Sequence, residues 1–339
     1  MRVCVLADEV FGNYSPAIHL KNYEWKMYNV KLPAYEFIRD IAMRESYDVY
    51  LNLCDGAEDE IGRPGIDVVQ ALEALNLPFT GADSGFYAPT REGMQALAEK
   101  KGIGFARGVH VDANENVVAK VTAAGFRYPM IVKHHDSYAS AGMTRDNRVE
   151  NAKQLRVQFE KMASQYGSAR IEEFIEGREF TCLVADNPDN LDDPYVYQPV
   201  EILFQEGETF KHWAMKFDAT ASAGMDLQFV SEPGLARRIR SMVKKMYLAM
   251  GGTGYGRADI RMDKEGNLFM LEMNPSPSVL NMEDDFTSGD YMMQEDPGGT
   301  DGFLERIFRS AIIRLEMRKM PVPVQLPKRR KLEPVVVRK

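Results

Sequence analysis

Cysteine is scarce in this chain: Cys4, Cys54 and Cys182 are the only three in 339 residues. An odd number of thiols, far apart in apolar or mixed surroundings, supports neither a disulfide framework nor a zinc site and fits a reducing compartment. Basic charge is in short supply too, with 42 Lys and Arg against 50 Asp and Glu and a formal charge of -8. Broad nucleic-acid binding needs a net basic face, so no nucleic-acid partner is expected and small molecules or proteins are the expected ones. No apolar run approaches the ~18 residues of a membrane span. The opening Met1–Ala7 meets Asp8 and Glu9 too soon to act as a signal peptide. A cytosolic protein is the expectation. The one local charge anomaly is Lys328-Arg329-Arg330-Lys331, after Pro321, Pro323 and Pro327; it reads as a solvated tail, with nuclear import as the alternative.

What is present is an ordinary globular composition, 45% hydrophobic and 27% charged, long enough for two or three domains. Val3–Ala7 reads as a strand, Pro33 to Arg44 as a helix, Val49–Leu53 as a second strand and Ile66 to Leu75 as a second helix. The latter stops at Asn76-Leu77-Pro78-Phe79-Thr80-Gly81, which leads into a short strand. This βαβα order implies a small parallel-sheet domain over residues 1–88. Thr90 is the expected N-cap of the next helix. Further on, Tyr128–Lys133 reads as a strand, 151–166 as a helix, 171–177 as a strand and turn, and 178–184 as a strand. Residues 195–230 read as antiparallel strands and loops, 235–250 as a helix, 254–274 as a hairpin and 303–319 as an amphipathic helix. The mixture implies two α+β lobes, 89–175 and 176–320, and then a basic tail, 321–339.

The hairpin is the most informative stretch. A two-residue turn at Glu265-Gly266 pairs Lys264 with Asn267 and, walking outward, Asp259 with Glu272 and Arg257 with Asn274. Side chains opposite one another sit roughly 4.5–5.5 Å apart, where like charges destabilise the sheet, so positive charge must lie between the two carboxylates. A hard cation such as Mg²⁺ takes one or two protein carboxylates and completes its shell with waters and substrate phosphates, which points to nucleotide chemistry. The competing reading is a solvated charged hairpin. Elsewhere Lys133 ends an apolar strand, and Ser137, Ala139, Ser140, Ala141 and Gly142 then leave room for backbone N–H groups to approach phosphate oxygens. Glu172-Glu173-Phe174-Ile175 suits an adenine amino group and a ribose hydroxyl pair, or else an ordinary half-buried strand.

Taken together, Lys133 with its loop, Glu172 to Glu179, Lys216 and the set Arg257, Asp259, Glu272 and Asn274 resemble the ATP-grasp superfamily. Within it the chain is most similar to the D-alanine–D-alanine ligase group, from about Val49 to Ile313. The resemblance implies an ATP-grasp fold, α/β followed by α+β, with an N-terminal parallel-sheet domain and two lobes enclosing the nucleotide. It implies ATP and Mg²⁺, with Mn²⁺ as a substitute metal, and a homodimer formed through the first domain. Asp259, Glu272 and Asn274 match the family's metal ligands. Arg257 matches the arginine on the transferred phosphoryl, and Lys216, with Ser140, belongs to the catalytic set. Arg91, Lys133, Ser140, Gly142 and Lys216 fall on the phosphate side, Glu172, Glu173, Phe174 and Ile175 on the adenine, and Glu179 on the ribose. Turns at Asn52–Gly56 and Leu77–Gly81 resemble those that face the substrate.

Family members make an acyl phosphate from a carboxylate and ATP, and an amine then displaces phosphate. That chemistry asks the protein for positioning and charge neutralisation rather than a nucleophile. Several positions depart from the family: Arg91 stands for a lysine, Tyr138 and Ala139 for a glycine and a serine, and Phe217 for a tyrosine. After the metal set, Ser278 to Asp285 lacks the Gly and the Ser-Leu pair that hold an acceptor carboxylate, and Glu283-Asp284-Asp285 would repel one. The expected product is therefore an amide other than D-alanyl-D-alanine, from a small carboxylate and a neutral or cationic acceptor. Asp55, Glu58, Asp59 and Glu60 could hold an ammonium group. The alternatives are a ligase that extends a peptide or protein, and a catalytically silent nucleotide-binding protein.

Overall fold

The computed structural model describes residues 1–8, 14–56, 63–135, 142–212, 215, 225–282 and 286–319. The first sheet is built from β1 (Arg2–Ala7), β2 (Glu24–Asn29) and β3 (Val49–Asn52), in the order β2-β1-β3 and wholly parallel, with helices α1 (Ala34–Arg44) and α2 (Ile66–Ala74). The apolar strands and both helices fall where the sequence pattern puts them. Strand β2 is an addition: it alternates exposed Glu24 and Lys26 with half-buried Trp25 and Met27 at a sheet edge, a pattern too short to stand out. The short strand expected near Leu77–Gly81 reduces to one bridge between Tyr50 and Phe79.

The second sheet, β4-β7-β5-β6, comprises α3 (Arg91–Lys101), β4 (Gly108–Asp112), α4 (Val117–Ala123), β5 (Met130–Lys133), β6 (Arg148–Val149), α5 (Ala152–Tyr166) and β7 (Ser168–Glu173) in chain order. Helix α3 starts at Thr90, whose side chain accepts from Gly93 N at 3.0 Å, and Asn151 caps α5 in the same way. A third sheet contains β8 (Gly177–Ala185), β9 (Tyr195–Val196), β10 (Val200–Phe204), β11 (Met225–Phe229), β12 (Tyr255–Asp263) and β13 (Leu268–Pro275), with helices α6 (Pro233–Ala249), α7 (Ser288–Gln294) and α8 (Gly299–Lys319). Among the described residues no helix is long and apolar enough to cross a membrane. All three cysteines are free and buried.

The hairpin departs from expectation at its tip and agrees at its functional end. Asn267 pairs with Asp263, not Lys264: Asp263 N donates to Asn267 O at 3.0 Å, and the loop is three residues, Lys264 to Gly266, with Gly266 at φ +84°. That shift of one residue is cancelled by a bulge between Asp259 and Ile260, where Leu271 is the extra residue of β13. Beyond it Asp259 faces Glu272 and Arg257 faces Asn274. The bulge sets which face each side chain takes. Leu268 and Met270 lie in the core with Ala258 and Ile260, and strict alternation would send Glu272 there next. The extra residue puts Met273 in the core and turns Glu272 and Asn274 to the opposite face.

Two contacts hold the sheets in place around that face. The segment before β4 is stitched to β13 by Met270 N to Gly104 O and Ala106 N to Met270 O, both 2.9 Å. Any Cβ on Gly104 would lie 2.2 Å from Leu268 O, so this crossing requires glycine. Val3, Val5, Val49 and Leu51 of the first sheet share one core with Leu183 and Ala185 of β8 and with Phe303, Leu304, Ile307 and Phe308 of α8. Truncating Phe303, fully buried in that core, to alanine is expected to cost about 3–5 kcal/mol, read as a lowered urea midpoint; an unchanged midpoint would contradict the shared core.

Candidate active site

Strand β12 lies between β8 and β13, and its alternation puts Arg257, Asp259 and Arg261 on the face opposite the core. On one flank Glu272 and Asn274 stand opposite Asp259 and Arg257, and on the other Thr181 and Glu179 stand opposite Asp259 and Arg261. The face borders a cleft of about 760 Å³, counting its open mouth, whose lining includes Arg91, Lys133, Glu172 to Ile175, Glu179, Asp259 and Glu272. Those sequence-predicted residues are therefore brought together. Ser140 and Lys216 lie outside the described residues, as do Tyr138, Ala139, Phe217, Glu58 to Glu60, Glu283 to Asp285 and the basic run Lys328 to Lys331. Gly142 is described, at φ +68°, beside Tyr166.

The positive charge that the Asp259–Glu272 pairing demands is supplied by side chains. Arg91 Nη2 donates to Glu272 Oε2 at 2.6 Å, and its Nη1 donates to His135 O at 3.1 Å. Lys211 Nζ lies 3.4 Å from Asp259 Oδ2, and Arg257 Nε 3.7 Å from Asp259 Oδ1. The hairpin thus needs no metal to be electrostatically tolerable, which corrects the sequence argument. The donor set still suits one. Asn274 Nδ2 lies 3.4 Å from both Glu272 Oε1 and Arg257 O, so the side-chain amide stands beside the Glu272 carboxylate. Oxygen donors alone fit a hard cation that completes its shell with water and phosphate. Among the described residues no cluster of three or more His, Cys, Asp and Glu is placed to hold a metal, so a cation here would need the amide and the ligand as well.

On the other wall runs a buried polar stripe. Ala169 and Ile171 of β7 face the core, and Ser168, Arg170 and Glu172 alternate with them on the opposite side. Arg170, 0% exposed, donates through Nε to Glu172 Oε1 at 2.7 Å and through Nη2 to Gln95 at 2.6 Å, and Lys133 Nζ meets Glu172 Oε2 at 2.6 Å. A Cβ on Gly108 would lie 2.5 Å from Arg170 Cζ, so glycine is what lets the guanidinium cross β4. Burial pushes the Glu172 carboxyl up, but Lys133, Arg170 and Arg91 outweigh it and hold it at about 2, below its ordinary 4.5.

Three residues escaped the sequence reading. Lys211 contacts Glu179 Oε1 as well as Asp259, at 3.4 Å. Burial lowers its pKa, and Asp259 and Glu179 outweigh burial to leave it raised. Arg261, buried, holds Glu179 Oε2 at 3.0 Å, Thr209 O at 2.9 Å and Gly177 O at 3.0 Å. Its guanidinium lies 4.6 Å from the Phe174 ring centre, and burial lowers its pKa. Arg170 was hidden inside a strand that reads as ordinary. Arg261 could have been found, because it repeats the two-residue step of Arg257 and Asp259; nothing periodic marks Lys211. The acidic loop is described only at Asp55, which is paired with Arg63, itself 2.6 Å from Asp8. A second cleft of about 390 Å³ brings Asn52 to Asp55 against Ser276 to Val279, with Tyr14, Tyr255 and Asn281.

This architecture is the ATP-grasp fold, with a parallel N-terminal sheet and two mixed lobes bordering one cleft. The D-alanine–D-alanine ligase of Bacillus anthracis complexed with ATP aligns with 94% of this chain and 99% of its own at TM-score 0.66 and 18% identity. That of Coxiella burnetii aligns over 94% and 95% at TM-score 0.65 and 13% identity. In sequence, the D-alanine–D-alanine ligase of Cupriavidus necator is 29% identical over 224 residues, 64% of each chain. That of Bifidobacterium longum subsp. infantis is 25% identical over 265 residues, 73% of this chain and 65% of its own. The chain thus spans just under two thirds of the length of these two curated relatives. The family described as D-ala D-ala ligase C-terminus matches residues 96–283, and the chain belongs to it.

The Glu172 pairing sets a pH dependence. Its folded value lies below the unfolded one, so its stabilisation is complete above about pH 4.5 and is lost as pH falls through about 2. In Glu172→Gln, urea midpoints are expected to be lower at neutral pH and to fall less steeply below pH 4.5 than in the parent; parallel pH profiles would contradict the pairing.

Proposed function

We propose that this chain is an ATP-dependent carboxylate–amine ligase that works through an acyl phosphate, with a divalent cation held by Asp259, Glu272 and Asn274. The observation that carries the reading is the Asp259–Glu272 juxtaposition on the face of a cleft that also collects Arg91, Lys133 and Lys211. Two carboxylates placed to repel each other, ringed by cations and backed by an apolar floor of Ile131, Met143, Phe174 and Phe210, suit a polyphosphate with an attached base. Family membership and the likeness to a ligase solved with ATP support the same assignment.

In this reading the adenine lies against Phe174 and the Glu173–Ile175 backbone, and Glu179 and Arg261 border the ribose. Lys133 and Arg91 draw the phosphates in; for Ser140 and Lys216, outside the described residues, the same role rests on the family resemblance alone. Bound at the hairpin, Mg²⁺ or Mn²⁺ would neutralise phosphate charge and polarise the γ-phosphoryl. A substrate carboxylate oxygen attacks the γ-phosphorus and ADP leaves; the amine then attacks the acyl carbon, the acyl C–O bond breaks, and phosphate leaves with the proton that the amine gives up. Arg257, whose Nε donates no hydrogen bond among the described residues, offers its guanidinium to the transferred phosphoryl and then to the tetrahedral oxyanion.

The substrates sit in the second cleft, between Asn52–Asp55 and Ser276–Val279. Asp55, paired with Arg63, is the one charged group among its described lining residues and no described cation lines the cleft to hold an acceptor carboxylate, which favours an acceptor that is neutral or cationic over a second D-alanine. ATP and Mg²⁺ with separate pools of D-alanine, other amino acids and amines, read by ADP release and product mass, decide this. The expected result is ADP release with a non-D-alanine pool, and a D-alanyl-D-alanine product would overturn the substrate assignment. Glu272→Ala is expected to lower turnover by at least ~10³-fold with its unfolding transition retained; preserved turnover would falsify the metal assignment.

A further inference from the structure

Lys211 carries a role that neither the family resemblance nor the hairpin assigns. Its ammonium bridges two carboxylates on different strands, Asp259 Oδ2 of β12 and Glu179 Oε1 of β8, at 3.4 Å each. These are its ion-pair partners among the described residues, and the side chain lines the cleft at 16% exposure. Arg261, which shares Glu179, is anchored by the carbonyls of Gly177 and Thr209 as well. Among the described residues Lys211 has no comparable anchor, and it has a flexible four-carbon stem, so its charge is the more easily moved.

The charge balance of the hairpin pair gives this consequence. Among the described residues, Asp259 and Glu272 bring two negative charges, and Arg91, Lys211 and Arg257 bring three positive ones within 4 Å of them. A bare divalent cation approaching Asp259 therefore meets a compensated site and must displace the ammonium. A polyphosphate reverses the balance, because its oxygens give the displaced ammonium a new partner.

We propose that Lys211 makes cation loading at Asp259, Glu272 and Asn274 conditional on nucleotide: it occupies Asp259 in the nucleotide-free protein and yields it when phosphate oxygens arrive. Lys211 is thus a positioning residue that couples two ligands. By linkage, the factor by which nucleotide tightens cation binding equals the factor by which the cation tightens nucleotide binding. The proposal rests on the metal assignment made above.

The test is Mn²⁺ titration of the full chain, followed by electron paramagnetic resonance, with and without saturating ADP. The parent should bind Mn²⁺ weakly alone and much more tightly with ADP. Lys211→Met removes a charge that opposes the cation at close range, so Mn²⁺ alone should bind about tenfold tighter. The tightening produced by ADP should shrink by about the same factor. Lys211→Gln should repeat both changes and Lys211→Arg should restore the parent pattern. A residue that only braced the fold would weaken Mn²⁺ binding in both conditions. Weaker or unchanged binding of Mn²⁺ alone in both neutral variants would overturn the proposal. Asp259→Asn separates the two levels of the argument. If it abolishes Mn²⁺ binding while the neutral Lys211 variants change nothing, the coupling role alone fails. If it leaves Mn²⁺ binding intact, the metal assignment fails and this proposal with it.

Discussion

Asp259 and Glu272 face one another across an antiparallel ladder, and two like charges at that separation persist only where opposite charge is brought to them. Among the described residues three parts of the chain do so: Arg91 from the start of α3, Lys211 from the segment after β10, and Arg257 from β12 itself. The need to neutralise one pair thereby draws three segments to one face. The same pair explains the bulge at Leu271, without which Glu272 would lie among Met270, Ala258 and Ile260 as an uncompensated charge in an apolar core. The stitch between Gly104 and Met270 then carries the second sheet to that same strand, one residue from the bulge.

The opposite wall obeys the same logic with deeper burial. Glu172 and Arg170 are 1% and 0% exposed, and each would be costly alone. Together with Lys133 and Gln95 they form a satisfied network, and Gly108 is the concession the backbone makes to fit it. One wall thus holds its charges in a closed set of bonds, while the other combines one tight pair, Arg91 with Glu272 at 2.6 Å, with longer pairs on Asp259 at 3.4–3.7 Å that a ligand can exchange. A rigid cationic wall facing an exchangeable one is suited to gripping a polyphosphate while its counter-ions rearrange.

Much of this was legible in the sequence because it rests on alternation. Arg257 and Asp259 stand two apart on one strand and Glu272 and Asn274 two apart on the next, so each pair shares a face of its own strand in any reading that makes the stretch a hairpin. The register at the turn was not legible. Leu271 fits a plain strand as well as a bulge, and the misplaced turn and the overlooked bulge shift the pairing by one residue in opposite directions. The short edge strand β2 offers too few alternating residues to be distinctive. Lys211 follows Gly207-Glu208-Thr209-Phe210, where no period governs the side chains, and only the tertiary approach of that segment to β8 and β12 gives it partners. The cations that answer the hairpin's charge come from distant segments, so a local argument infers the need for charge and misses its source.

The central claim is that the Asp259–Glu272 pair, phased by the bulge and balanced by movable cations, is built to receive a divalent ion together with a nucleotide. The most direct measurement is an anomalous difference map from crystals grown with ADP and Mn²⁺. The account predicts one strong peak within about 2.5 Å of oxygens of both Asp259 and Glu272, with the nucleotide's phosphates completing its shell. Nucleotide bound in the cleft with no anomalous peak at these two carboxylates would contradict it.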